Sequence, residues 1–386
     1  MTAVSSRDLL AVAHRIGTDT VAPAADAVDR DARFPTEAFT ALREERFLGA
    51  MVPETLGGGG HSIAEIAAVC QVLGRHCAST GMVYAMHQIQ VACLVRHGAA
   101  SPFFSDYLRQ LAEHEWLLGS ATTELGVGGD VRTSLCAIER DGERFRLTKQ
   151  APVISYGLEA DAILATARRA PDAASNDQVI ALVRKADCRL TQTSGWDALG
   201  MRGTCSLGFT LEAEASAEQI MPQPYGEISS HTMLPTSHLL WASLWLGIAT
   251  EAVGRARAFV RADARRKPGT VPPSAHRLAE VVAALHAMRA TVQNGLAEYE
   301  RVMDHGDELT SLGFALRMNN IKVLASKTVA EIVTAALGVT GIAGYKADSK
   351  FSLGRHLRDA HGASLMIAND RILSANAAML LVQKDD

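Results

Sequence analysis

Aromatic residues make up only 5% of this 386-residue chain, and with Ala, Leu and Val dominating, that scarcity favours helix over a large β-sandwich. Excess charge of either sign is lacking too. A formal net charge of −4 gives no electrostatic reason to expect nucleic acid or a membrane surface as a partner. Cysteine is sparse and unpatterned: Cys70, Cys77, Cys93, Cys136, Cys188 and Cys205 form no CxxC pair and no regular framework. They are expected to be buried thiols in a reducing compartment. Long hydrophobic runs are missing as well. The stretch Leu239–Ala249 is interrupted by Ser243 and is too short to span a bilayer. The opening MTAVSSRDLLAVAHRIG has neither a basic n-region nor a long apolar segment, so no signal peptide and a cytoplasmic location are expected. His76, His87, His97, His114, His231 and His286 show no metal-ligand spacing, and no GxSxG elbow appears. The histidines are expected in the core or on the surface, and no metal is expected.

What is present is a chain long enough for two or three domains, 48% hydrophobic and 21% charged, far from the profile of disorder. Its texture changes twice. Residues 1–118 carry apolar residues at helical spacing, with helices expected over Ser6–Ile16, Pro35–Arg46, Ser62–His76 and Ser79–His97. Residues 119–228 hold short strand-like segments, such as Leu135–Glu139, Phe145–Leu147, Ala162–Ala167, Val179–Val183 and Phe209–Ala213, separated by turn residues. They predict a small antiparallel β-domain. Residues 229–386 are helical again, with long segments expected over His238–Arg265, Ala275–His305, Leu309–Leu337 and Ala360–Val382.

The clearest local signal is Ala121-Thr-Thr-Glu-Leu-Gly126-Val-Gly128-Gly129-Asp130 at the opening of the β-region. Three glycines and neighbouring hydroxyls suit a loop whose backbone amides approach a phosphate or a flat ring. Taken alone, the segment is equally a glycine-rich turn feeding a strand. Its spacing is not GxGxxG, and no strand–loop–helix unit follows, which excludes a Rossmann domain. The segment is similar to the "TEPGAGSD" loop of acyl-CoA dehydrogenases, with Leu125 in place of Pro and Gly129 in place of Ser. Five further segments resemble that family in the same order. They are Pro53-Glu-Thr-Leu-Gly-Gly-Gly-Gly, Leu199-Gly-Met-Arg-Gly-Thr-Cys-Ser206, Arg265-Arg-Lys-Pro-Gly269, Thr340-Gly-Ile-Ala-Gly-Tyr345 and Arg358-Asp-Ala360.

The resemblance implies an α+β fold with an N-terminal helical domain, a central antiparallel β-domain and a C-terminal four-helix bundle. It implies FAD between the last two, held with help from a second subunit in a homotetramer or dimer. An FMN, or a reduced flavin taken as co-substrate, is the alternative cofactor. By position, Thr122 and Thr123 would meet the flavin ring, and Gly128 and Gly129 the pyrophosphate. The family's "WIT" segment falls on Val153-Ile154-Ser155. Ser155 is expected to donate a hydrogen bond to the ring, while Val153 cannot stack on it as Trp does, and Tyr156 is the candidate to restore aromatic surface. Arg265 would reach the neighbouring subunit's phosphates, as a guanidinium suits; without the resemblance it reads as one member of a solvated basic run with Arg261, Arg266 and Lys267. Gly341, Asn369 and Arg371 are implied as further cofactor contacts.

The resemblance also exposes a gap. These dehydrogenases need a carboxylate to take the α-proton of an acyl thioester. At its two usual positions this chain carries Ile367 and Ser237, and no Glu lies between Gly344 and the C-terminus. Three readings follow. In the leading one, the chain oxidises an acyl thioester at Cα–Cβ with a relocated base, Asp370 or His238, and passes electrons to an electron-transfer flavoprotein. Asp370 is expected roughly one helical turn beyond Ile367; its ordinary role would be pairing with Arg371 or Arg358. The alternative is a flavin-dependent monooxygenase using reduced flavin and O₂ on another small molecule. The third is a flavin-binding paralogue without dehydrogenase activity. A purely helical scaffold is disfavoured by the intact Thr-Glu-x-Gly-x-Gly loop.

Overall fold

A computed structural model describes residues 6–266 and 268–383, so Lys267 of the basic run lies outside the described residues. Six helices come first: α1 (Ser6–Ile16), α2 (Ala22–Arg30), α3 (Thr36–Glu44), α4 (Ile63–His76), α5 (Ala78–His97) and α6 (Pro102–His114). Capping decides where α4 begins. Ser62 Oγ accepts from Glu65 N at 3.3 Å while Glu65 Oε2 accepts from Ser62 N at 2.9 Å, so two otherwise unmatched amides are satisfied. Helix α5 is buried nearly all round, as its mixture of small and apolar residues permits.

Strands follow: β1 (Leu118–Ala121), β2 (Glu139–Asp141), β3 (Arg144–Ile154), β4 (Ala162–Arg168), β5 (Gln178–Arg184), β6 (Cys188–Ser194) and β7 (Leu207–Ser216). They form two sheets, ordered β1-β4-β5 and β2-β3-β7-β6. The expectation of antiparallel pairing needs one amendment, because β1 pairs with β4 in parallel, Leu118 opposite Ala162. A parallel neighbour demands a long crossover, and here the crossover contains the glycine-rich loop, β2 and β3. The expected strand at Leu135–Glu139 is mostly loop, since Glu124 captures the amides of Leu135 and Cys136.

The helical remainder comprises α7 (Tyr225–Ile228), α8 (Leu234–Arg266), α9 (Ser274–Val302), α10 (Gly306–Leu309), α11 (Leu312–Thr340), α12 (Ile342–Tyr345), α13 (Gly354–His361) and α14 (Asn369–Leu380). The single helix expected over Ala360–Val382 is therefore broken at residues 362–368. Helix α11 is the one described helix long and apolar enough to cross a membrane, but half of its most apolar stretch is buried, and it packs along α8 and α9. Helices α4 and α8 cross at glycines: a Cβ on Gly247 would fall 2.2 Å from Gln71 O, and one on Gly74 2.5 Å from Leu244 O. Three of the cysteines expected to be buried (Cys136, Cys188 and Cys205) are only half-buried, and all six are free thiols.

Candidate functional site

The glycine-rich loop is anchored by a buried ion pair. Glu124 accepts from Leu135 N at 3.1 Å and Cys136 N at 2.7 Å, and Lys149 Nζ donates to it at 3.3 Å. Lys149, wholly buried on β3, also donates to Thr166 O at 2.8 Å. Both charges thus have several partners, the condition under which a buried pair is tolerated. Beyond this anchor the chain turns through Gly126, Gly128 and Gly129 with φ of 92°, 59° and 78°, left-handed values that favour glycine. A Cβ at Gly128 would meet nothing within 4 Å, so the backbone there stays open. The Arg371 guanidinium, at the start of α14, donates to Gly128 O and lies 3.2 Å from where a Gly129 Cβ would be. Open left-handed backbone beside a cation is a fit for an anionic phosphate.

Behind the loop lie the expected ring contacts. Thr123 Oγ1 donates to Val153 O at 3.4 Å, and Thr122 O accepts from Thr166 Oγ1 at 3.4 Å, tying the loop to β3 and β4. Thr122, Thr123, Val153 and Ser155 are all half-buried. Ser155 Oγ is 2.7 Å from Ser206 Oγ, which is 2.8 Å from Thr204 Oγ1, and Thr204 donates to Met201 O at 2.9 Å. Tyr156 does not restore aromatic surface. It is buried, with φ of 43°, and its hydroxyl donates to Leu118 O at 2.8 Å, so its ring belongs to the core.

On the bundle side, Ile367 has φ of 48°, outside helical geometry. Counting one helical turn from Ile367 to Asp370 therefore fails. Asp370 is exposed and pairs with neither expected arginine: Arg371 is on Gly128 O, and Arg358 is on Asp29 and Leu199 O. Asn369 is not open to a cofactor either. Its Oδ1 accepts from Lys322 Nζ at 2.8 Å and its Nδ2 donates to Ser326 Oγ at 3.0 Å, inside the bundle. Lys322 also donates to Ile367 O at 2.7 Å and stands 5.8 Å from the Trp245 ring centre. Burial lowers its ammonium to about 8. Sequence reasoning passed over this residue. The available signal was a charge within Ile321-Lys-Val-Leu-Ala-Ser326, four residues after buried Met318 and on the same helical face.

His238 makes one hydrogen bond, its Nε2 to Asn319 Oδ1 at 3.2 Å. Asn319 in turn donates to Asn376 Oδ1 at 2.7 Å, and Asn376 to Asn320 Oδ1 at 3.0 Å. This order leaves the proton on Nε2 and a lone pair on Nδ1, which is buried without a partner, as are Trp241 Nε1 and Trp245 Nε1. Desolvation depresses His238 to about 3, too weak a base to hold a proton at neutral pH. Ser237 donates to Leu234 O at 2.8 Å. Among the described residues the buried carboxylates are Glu115, Glu124 and Asp359. Each already accepts backbone amides: Glu115 from Leu48 at 2.6 Å, Asp359 from Met201 at 2.7 Å, and Glu124 as above.

Gly341, with φ of 56°, ends α11 and accepts from Gly344 N and Tyr345 N. Arg265 is exposed near the end of α8, and among the described residues no hydrogen bond or ion pair ties it to the loop of its own chain. The structure thus joins Arg371 to Gly128 and Gly129, and Thr123 to Val153. It leaves Arg265 and Gly341 apart from them. No group of three His, Cys, Asp or Glu side chains among the described residues could hold a metal.

Sequence models of the N-terminal and C-terminal domains of acyl-CoA dehydrogenases match residues 5–115 and 229–373. Among curated proteins, the chain is 28% identical to the amino sugar nitrososynthase DnmZ of Streptomyces peucetius, over 88% of this chain and 84% of that one. It is 25% identical to the cyclohex-1-ene-1-carbonyl-CoA dehydrogenase of Geobacter metallireducens, over 92% of each. Among solved structures, FMN-bound TdsC from Paenibacillus sp. A11-2 superposes with a TM-score of 0.85 over 98% of both chains at 18% identity, a likeness of fold.

Proposed function

Since the chain belongs to the acyl-CoA dehydrogenase family of flavin-dependent oxidoreductases, we propose that it acts as a monooxygenase, drawing on reduced flavin and O₂ to oxidise a small molecule. One observation carries this reading. The flavin-side loop keeps its open glycines, hydroxyls and a cation, while the two positions at which the family places its proton-abstracting carboxylate hold Ile367 and Ser237. The Streptomyces relative, whose name assigns it the making of a nitroso group on an amino sugar, supports oxygenation over desaturation.

In this reading Gly128, Gly129 and Arg371 hold the flavin's phosphate, and Thr122, Thr123, Val153 and Ser155 line its ring. The flavin, FMN or FAD, supplies two electrons to O₂ when bound reduced. The protein's part is to keep the ring dry and to orient the acceptor. Ile367 replaces a charge with an apolar side chain, and Lys322 fixes its carbonyl. His238 Nδ1 and Trp241 Nε1 are buried without a partner in the chain, one an acceptor and one a donor.

The acyl thioester reading stays in play through the Geobacter relative, and it would bring an electron-transfer flavoprotein as partner. Self-association as a dimer or tetramer belongs to either reading. Leu324, Ile342, Tyr345 and Leu365 are exposed on the bundle, and Arg265 would then reach a neighbour's phosphates. The deciding experiment supplies chemically reduced FMN or FAD, ¹⁸O₂ and amino-sugar substrates to the purified chain. In parallel, bound flavin is titrated anaerobically with a panel of acyl-CoAs. Incorporation of one ¹⁸O without bleaching by any thioester supports the monooxygenase. Bleaching by an acyl-CoA overturns it.

A further inference from the structure

The three hydroxyls behind the loop form a chain whose direction is fixed by counting hydrogens. Its contacts run Ser155 Oγ to Ser206 Oγ at 2.7 Å, Ser206 Oγ to Thr204 Oγ1 at 2.8 Å, and Thr204 Oγ1 to Met201 O at 2.9 Å. Each hydroxyl has one hydrogen, and the carbonyl at the far end has none. Thr204 must therefore donate to Met201, because any other choice leaves two bare oxygens at contact distance. Ser206 must then donate to Thr204, and Ser155 to Ser206. Thr204 and Ser206 are buried, so water does not offer them another partner, and Trp196 Nε1, donating to Met201 O at 3.2 Å, helps hold the terminus. Ser155 is half-buried. With its hydrogen turned inward, it presents only lone pairs outward, the reverse of the donation expected from the family resemblance.

A hydroxyl that can only accept discriminates between the two forms of a flavin. The ring nitrogen N5 is a bare acceptor when the flavin is oxidised and carries a hydrogen when it is reduced. We propose that the Ser155–Ser206–Thr204 chain makes this site select reduced flavin over oxidised flavin, with Thr204 and Ser206 as positioning residues that set the polarity of Ser155. This rests on the reading of the loop as a flavin site and deepens it. It fits an enzyme that takes up reduced flavin and lets the oxidised form go.

The test measures dissociation constants anaerobically for dithionite-reduced and for oxidised FMN and FAD, in the wild type, Thr204→Val, Thr204→Ser and Ser206→Ala. The wild type is expected to bind the reduced form about tenfold more tightly, the worth of one hydrogen bond made rather than denied. For a two-electron couple that ratio is a midpoint potential about 30 mV more positive than free flavin. Thr204→Val frees the Ser206 hydrogen to turn toward Ser155, and Ser206→Ala leaves Ser155 no inward acceptor. Each should raise affinity for oxidised flavin and collapse the ratio, whereas Thr204→Ser should keep it. Should either of the first two variants fail to fold, the other still decides. A wild-type ratio near one, or a ratio unmoved in the folded variants, overturns the hydroxyl chain and leaves the flavin site standing. Binding of neither form by the wild type overturns both.

Discussion

The two walls of the candidate site are built on opposite plans. On the β-domain side nearly every polar group is partnered, from the Glu124–Lys149 pair to the one-way chain of hydroxyls. On the bundle side His238 Nδ1, Trp241 Nε1 and Trp245 Nε1 are buried with nothing to bond, and a lysine without an acid partner holds the turn at Ile367. The first wall suits a ligand that stays the same; the second leaves its valences for something brought in. The contrast explains how chemistry can change within one fold.

Four measurements would break or sharpen that contrast. The largest effect is expected from Glu124→Ala, which strands Lys149 and two backbone amides in the interior. A loss on the order of 3–5 kcal/mol is expected from chemical denaturation, together with loss of flavin binding. A smaller change would mean that the loop is not held by this pair.

The next is a pH effect with one root near each wall. His87 donates from Nε2 to Leu48 O at 2.8 Å and accepts at Nδ1 from Leu118 N at 3.0 Å, clipping β1 to the N-terminal helices. Desolvation lowers it from 6.5 to about 4, and His238 from 6.5 to about 3. Because the unfolded chain then binds more protons, the stability tied to the neutral rings is complete above about pH 6.5 and is lost as pH falls toward 4. For His87 alone the loss approaches ~3 kcal/mol. His87→Gln and His238→Gln should each flatten the acid limb of a melting-temperature profile, and an unchanged limb would count against buried neutral imidazoles.

Lys322→Met comes third. It leaves Ile367 O without its lysine donor and Asn369 Oδ1 with Ser326 Oγ alone at 3.2 Å, an expected cost of about 1–3 kcal/mol. Faster amide exchange should be confined to residues 362–371, while oxidised and reduced flavin keep their affinity ratio. The smallest effects are in the loop. Gly128→Ala is expected to cost about 1 kcal/mol, for its left-handed φ alone. Gly129→Ala should cost more, because its Cβ also crowds Arg371. Equal losses would remove Arg371 from the loop.

Much of this was legible in residues whose local chemistry and tertiary role agree. Ser62 with Glu65 marks the start of α4, and the Thr-Glu-x-Gly segment marks the loop. The bundle wall was not. The break at residues 362–368 rests on Ile367 adopting a left-handed turn, which nothing in a β-branched residue announces; a lysine buried on another helix holds it there. Tyr156 looked available for stacking because its burial depends on Leu118, far away in sequence. Ser155 looked like a donor because a hydroxyl alone has no direction; Met201 O, three hydrogen bonds away in the fold, gives it one.

The parallel pairing of β1 with β4 has a consequence for the order in which the molecule assembles. The edge that carries Thr122 and Thr123 cannot dock until β4 has found its place, and β2 and β3, which lie within the crossover, must emerge before it. Closing so long a loop is slow relative to forming helices from neighbouring residues. During synthesis, α1 to α6 can therefore collapse while the cradle is still open chain. A ligand recognising the cradle acts on the nearly finished protein, raising its stability by mass action without guiding its early steps.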